Sequence, residues 1–111
     1  MTGYVLIFVT TGTAAEAERI ATTLVSERLA ACVNIVNPIR SIYRWQGVVS
    51  DDQEWLLLIK ARAADFAALE AKVRTLHSYQ VPEIIALPII AGSEAYLHWL
   101  QSETAGRGGN P

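Results

Sequence analysis

His77, Tyr79 and Glu83 fall within the seven residues HSYQVPE, and Lys60 stands upstream at the end of the apolar run LLLIK. An imidazole, a phenol, a carboxylate and an ammonium are the groups that general acid–base catalysis draws on. The histidine could equally ligate a metal ion, and Cys32 is a thiolate candidate for copper, which favours soft ligands. Tyr43, Trp45 and Trp55 could stack a planar ligand.

Each of these residues also has a plain structural role to fill. A metal ligand needs at least two partners, and no His-x-His or His-xxx-His spacing offers His77 or His98 one. At the end of a helix His77 interacts favourably with the helix dipole, worth ~0.3–1 kcal/mol when charged. Cys32 has no motif partner and reads as a small buried hydrophobe on a strand. Lys60 and Glu83 read as an ion pair, and Tyr79 as an interface anchor. Without a nucleophile or cofactor motif, the expectation is a protein that is not an enzyme. Val81 precedes Pro82 and is biased to extended geometry, so HSYQVPE is first the hinge by which a helix becomes a strand.

The elements that must position these groups follow from hydrophobic spacing. YVLIFVTT, residues 4–11, is β-branched and aromatic, which predicts a buried strand. Thr13 opens Thr-Ala-Ala-Glu, a capping box with Glu16 at the third helical position, and Ala17, Ile20, Ala21 and Leu24 share one face of the helix that follows. ACVNIV, residues 31–36, returns to strand chemistry. Pro38 has no N–H to donate and predicts a bulge or an edge. The pattern resumes from Ser41, with Tyr43 and Trp45 on one face and Arg40, Ile42 and Arg44 on the other. Gly47 and the polar run 50–53 predict a turn, and EWLLLIKAR a returning strand. Between Arg62 and Leu76 the period is helical, with Phe66, Leu69, Val73 and Leu76 as its apolar stripe. IIALPII gives a fourth strand with Pro88 at an edge or bulge, and Ser93 caps a short last helix holding Tyr96, Trp99 and Leu100. This order predicts an α+β fold of the ferredoxin-like split βαβ type, with two helices on one face of an antiparallel sheet.

The composition asks for partners. Of 111 residues 51% are hydrophobic and only 18% charged, with mean hydropathy +0.25, which is apolar for a domain with so much surface per volume. No apolar run approaches the ~20 residues of a spanning helix, and no Lys or Arg precedes Arg19 as a signal peptide would need. Burial against copies of itself remains. The second sheet face is apolar, and the hairpin from Ala31 to Arg62 is too long for its own helices to cover, so Tyr43, Trp45 and Trp55 are read as intersubunit contacts. A net charge of −2 without a basic cluster argues against nucleic acid and anionic membrane. One cysteine fits a reducing, cytoplasmic setting. Residues 1–103 are expected to form one domain, and TAGRGGNP, residues 104–111, a disordered tail.

ACVNI at 31–35, SIYRWQG at 41–47, Glu54 with LLLIK at 56–60, HSYQVPEI at 77–84 and YLHWL at 96–100 occur in an order and spacing that resemble the CutA family of divalent-cation tolerance proteins. The resemblance covers residues 4 to about 101. It implies a compact homotrimer, cytoplasmic, without an established reaction, linked to metal tolerance and often described as copper-binding. The implied ligand cleft lies between subunits and draws on Tyr43, Trp45, Glu54, Lys60, Tyr79 and Glu83, with His77 as metal ligand and Cys32 behind it. Copper or another divalent cation is the implied cofactor. Two departures weigh against copper. The common His-Pro-Tyr is His77-Ser78-Tyr79 here, and the positions where some members carry a further cysteine and histidine are Val9 and Leu76.

Overall fold

The computed structural model describes residues 2–104. Strand β1 (Tyr4–Thr11) has Val5, Ile7, Val9 and Thr11 buried, so its apolar run does alternate once packed: these odd-numbered residues face the helices. Helix α1 (Ala14–Ser26) starts where expected, with the Thr13 side chain accepting from the Glu16 N–H at 3.1 Å. Its stripe Ala17, Ile20, Ala21 and Leu24 is buried against the sheet. Helix α2 (Phe66–Leu76) follows a 3-10 turn over Ala63–Asp65 and buries Leu69 and Val73, while Phe66 and Leu76 pack at the rim of the core. Ile7, Ile20, Leu24, Leu57, Ile59 and Leu69 are fully buried at the centre, each worth ~1.5–3 kcal/mol relative to exposure.

Strands β2 (Cys32–Trp45), β3 (Val48–Arg62) and β4 (Ile84–Pro88) complete a four-stranded sheet in the order β2-β3-β1-β4, with every neighbouring pair antiparallel. Pro88 ends the edge strand β4, where a missing N–H breaks nothing. The expected irregularity near Pro38 is a bulge: Val36 pairs with Leu56 and Ile39 with Glu54, so β2 spends one residue more than β3.

Strand β1 reaches β3 only from Trp55 to Arg62, so the β2–β3 hairpin beyond Glu54 projects as a two-stranded arm. Residues 50–53 are strand and not the predicted turn. The chain reverses at Gln46 and Gly47, which both have positive φ (51° and 81°), as a two-residue type I′ hairpin requires. Polar residues are admissible in these strands because no core lies beneath them. Trp55 also departs from expectation: it pairs with Thr11 inside the sheet and packs on the core, so only Tyr43 and Trp45 ride the arm.

Helix α3 (Glu94–Thr104) opens with the Tyr96 N–H donating to Ser93 Oγ at 3.2 Å. It lies against β3, and the Tyr4 hydroxyl donates to Gln101 Oε1 at 3.0 Å, so the sheet face opposite α1 and α2 is covered at one end and is not wholly bare. Thr104, expected in the tail, closes α3: it is buried and donates to the Leu100 carbonyl at 2.9 Å. Residues 105–111 lie outside the described residues.

Candidate functional site

The segment after α2 is tied down at every step. The His77 N–H closes the helix on the Val73 carbonyl at 2.9 Å, and the ring, with no exposed surface, turns back under β1. His77 Nε2 lies 2.7 Å from the Thr10 carbonyl, and the Tyr79 N–H donates to His77 Nδ1 at 3.1 Å. A carbonyl only accepts and an amide N–H only donates, so the proton sits on Nε2 and the Nδ1 lone pair is used. Glu16 holds the next residue. Its carboxylate, itself buried, accepts from the Ser78 N–H at 2.5 Å and from Ser78 Oγ at 3.0 Å. The sequence pattern had Glu16 completing a local capping box, but its partner is 62 residues away. Tyr79 stacks obliquely on His77, with ring centroids 4.7 Å apart. It then passes so close to Gly12 that a Cβ there would stand 3.2 Å from the phenolic oxygen.

So placed, Tyr79 donates to Glu54 Oε2 at 2.7 Å. Glu54 stands where the arm of β3 meets the sheet and is only 6% exposed. Burial, then the hydrogen bond to Glu54 and the Glu54 charge, push the Tyr79 phenol far above its ordinary pKa. Partial desolvation at the pocket wall, then the Glu54 charge, raise the Glu83 carboxyl; Glu83 is exposed overall, so solvent screens both effects.

Between arm and loop lies a cavity of about 680 Å³. Tyr43, Trp45, Glu54, Tyr79 and Glu83, all expected in the cleft, line it together with Thr10, Arg40, Ser41, Ile42, Gln80 and Val81, which sequence did not single out. Its one lining cation is already engaged: Arg40 grips Asp51 in a bidentate pair at 2.9 and 2.6 Å, which raises the guanidinium and lowers the carboxyl. The Tyr43 hydroxyl donates to Asp52, a bond that raises the phenol.

Two expected participants, Lys60 and Cys32, are elsewhere, as is His98. Lys60 forms no pair with Glu83; it donates to Asn34 and lies 3.7 Å from Cys32 Sγ, its register partner on β2. Six residues along β3 from Glu54, it is ~20 Å from the pocket. Cys32 is partly exposed and not buried, beside Tyr96, whose phenol is raised first by partial burial and then by Cys32. His98 is exposed on α3. Within one chain the acid–base constellation of His77, Tyr79, Glu83 and Lys60 therefore does not assemble. Nor do the residues fit a preformed copper site. Both ring nitrogens of His77 are taken, Val9 is core, Leu76 packs against it, and no three of His, Cys, Asp and Glu gather as a metal-holding group among the described residues.

The class defined by this architecture is α+β: a four-stranded antiparallel sheet with three helices. Within that class the chain belongs to the CutA1 divalent ion tolerance protein family, whose model matches residues 5–103. A solved divalent-cation tolerance protein (Cut A1) from Thermus thermophilus is 50% identical, superposes with a TM-score of 0.89, and is matched over 92% of this chain and 99% of its own. The Archaeoglobus fulgidus structure is 38% identical with a TM-score of 0.88, over 91% of this chain and 98% of that one, and is described as a periplasmic CutA. The chloroplastic CutA of Arabidopsis thaliana is 45% identical over 90% of this chain, which spans about half (55%) of that relative's length. These two relatives overturn the cytoplasmic expectation. A single cysteine indicates no compartment in a family with members described as periplasmic and chloroplastic.

Proposed function

We propose that this chain is a non-enzymatic, homotrimeric binding protein of the divalent-cation tolerance family, and that it binds a cationic ligand in the pocket between the arm and HSYQVPE. Glu54 carries the reading. It is almost wholly buried, it faces the cavity, and its single hydrogen-bond partner among the described residues is the neutral Tyr79 hydroxyl. A carboxylate buried without a cation is costly, and a ligand that brings the cation removes that cost. Copper enters only as a weak occupant, since His77 has no free nitrogen to offer. The trimer rests on Ile42, Val48 and Val49, each more than 60% exposed along the arm, and on Ile85 and Leu87 of β4, exposed by 50% and 43%. The ferredoxin-like reading is supported by the strand order β2-β3-β1-β4.

Light scattering on the eluting peak is expected to give three times 12.1 kDa. A thermal-shift screen against metal ions and small organic cations is expected to return a stabilising ligand, since ligands that bind only the native state raise its melting temperature. Glu54→Gln is expected to abolish the shift and Glu18→Gln, on the outer face of α1, to leave it intact. A monomer, or a shift indifferent to Glu54, refutes the respective half.

A further inference from the structure

The two carboxylates that line the pocket are short of donors. Glu54 Oε1 has no hydrogen-bond partner among the described residues, and Glu54 is more than nine-tenths buried. The Glu83 carboxylate at the rim has no hydrogen bond or ion pair among them either. Tyr79 has spent its proton on Glu54 and keeps only acceptor lone pairs. Tyr43 has likewise spent its proton on Asp52, and the Arg40 guanidinium is held by Asp51. The pocket therefore holds two carboxylates short of donors, while the Tyr79 and Tyr43 hydroxyls and the Arg40 guanidinium are engaged by Glu54, Asp52 and Asp51.

A bare divalent ion is a poor match for this arrangement. Such ions gather about six or more oxygens at short range, whereas this cavity of about 680 Å³ is far wider than an ion and has Trp45 and Val81 among its walls. Apolar and aromatic walls contribute nothing to a hydrated metal ion. They do bury a hydrocarbon chain, and an aromatic face attracts an organic ammonium group.

Resting on the reading of this pocket as the ligand site, we propose that its ligand is an aliphatic amine in its ammonium form. The N–H donors go to Glu54, Glu83 and the Tyr79 oxygen, and the alkyl chain lies along Trp45 and Val81. Primary ammonium is favoured over quaternary because the site offers several acceptors and a quaternary nitrogen has no N–H to give them. A diamine can engage both carboxylates at once.

The test is calorimetry on the full chain at neutral pH and physiological salt, with diaminobutane, butylamine, the neutral isostere butanediol, and magnesium and manganese chlorides as probes. Diaminobutane is expected to bind saturably and more tightly than butylamine, and butanediol not to bind. Glu54→Gln and Glu83→Gln are each expected to weaken the diamine by about tenfold or more, the loss of one charge-assisted hydrogen bond. Glu18→Gln should leave it unchanged, and Glu83, being exposed, can be altered without risk to folding. Diamine binding indifferent to both pocket variants overturns the proposal. So does metal-ion binding lost in Glu54→Gln with no amine binding, which would leave the pocket reading standing and refute only the ligand class. No binding of any probe, with Glu54→Gln also loosening the oligomer on dilution, would mean that a neighbouring subunit's own cation fills the pocket, and both readings fall.

Discussion

Replacing Tyr79 by Phe removes one oxygen and leaves Glu54 buried without its donor. A hydrogen bond to a charged group contributes ~1.5–3 kcal/mol. Tyr79 is 36% exposed, so solvent competes and the low end, ~1.5 kcal/mol, applies. At ~4 °C per kcal/mol for a domain near this size, the melting temperature should fall by ~6 °C at fixed protein concentration. The pH dependence is the sharper check. The folded-state phenol is raised above its unfolded value of ~10, so its contribution is fully present below pH ~10 and is lost as pH rises through the folded value. The gap between parent and Tyr79→Phe should thus be constant through neutral pH and close in alkaline solution. Calorimetric scans of both proteins across that range measure it. No gap at neutral pH, or one that persists unchanged well above pH ~10, would show that the Tyr79–Glu54 bond does not operate in solution.

Gly12→Ala puts a methyl 3.2 Å from the Tyr79 oxygen, so it should destabilise the parent more than the Tyr79→Phe background, and a double-mutant cycle reads the difference. Glu83 has a raised carboxyl, so its contribution is fully present only below the unfolded value of 4.5 and is lost as pH rises through the folded one. Glu83→Gln should therefore be at least as stable as the parent at neutral pH, with the parent gaining on it in acid melts. Copper(II) should bind no more tightly than micromolar, about −8 kcal/mol, and His77→Ala should not weaken it further; nanomolar binding lost in that variant would contradict the ring's assigned hydrogen bonds.

What could be read from sequence was whatever local spacing decides. The stripe Ala17, Ile20, Ala21 and Leu24 is buried as periodicity demands, and Pro38 marks its bulge. Five residues expected in the cleft line one pocket of the chain, and it was the family motifs, where periodicity alone had no means to, that singled them out. Failures fall where a choice depended on distant chain. Glu16 fits a capping box, yet a better donor, Ser78, arrives from the far end of α2 and takes it. The polar stretch 50–53 resembles a turn because strands with no core beneath them lose the alternation that identifies strands. Lys60 and Glu83 looked like a natural pair by charge, but strand register sets Lys60 opposite Cys32, too far away to meet Glu83.

The bulge at residues 36–39 acts as a frame-shift in the side-chain alternation of β2. Before it, even-numbered residues share the face of Glu54, since Val36 stands opposite Leu56; after it, odd-numbered ones do, since Ile39 stands opposite Glu54 itself. Ser41, Tyr43 and Trp45 therefore share the face of Glu54 only because β2 carries one residue more than its partner. Remove that residue with the turn unchanged, and Arg40, Ile42 and Arg44 take that face while the aromatics go to its reverse. The side chains that β2 turns to the face of Glu54 are thus set by a count of residues, and a single deletion near Pro38 would exchange all three at once where point substitution changes one member at a time.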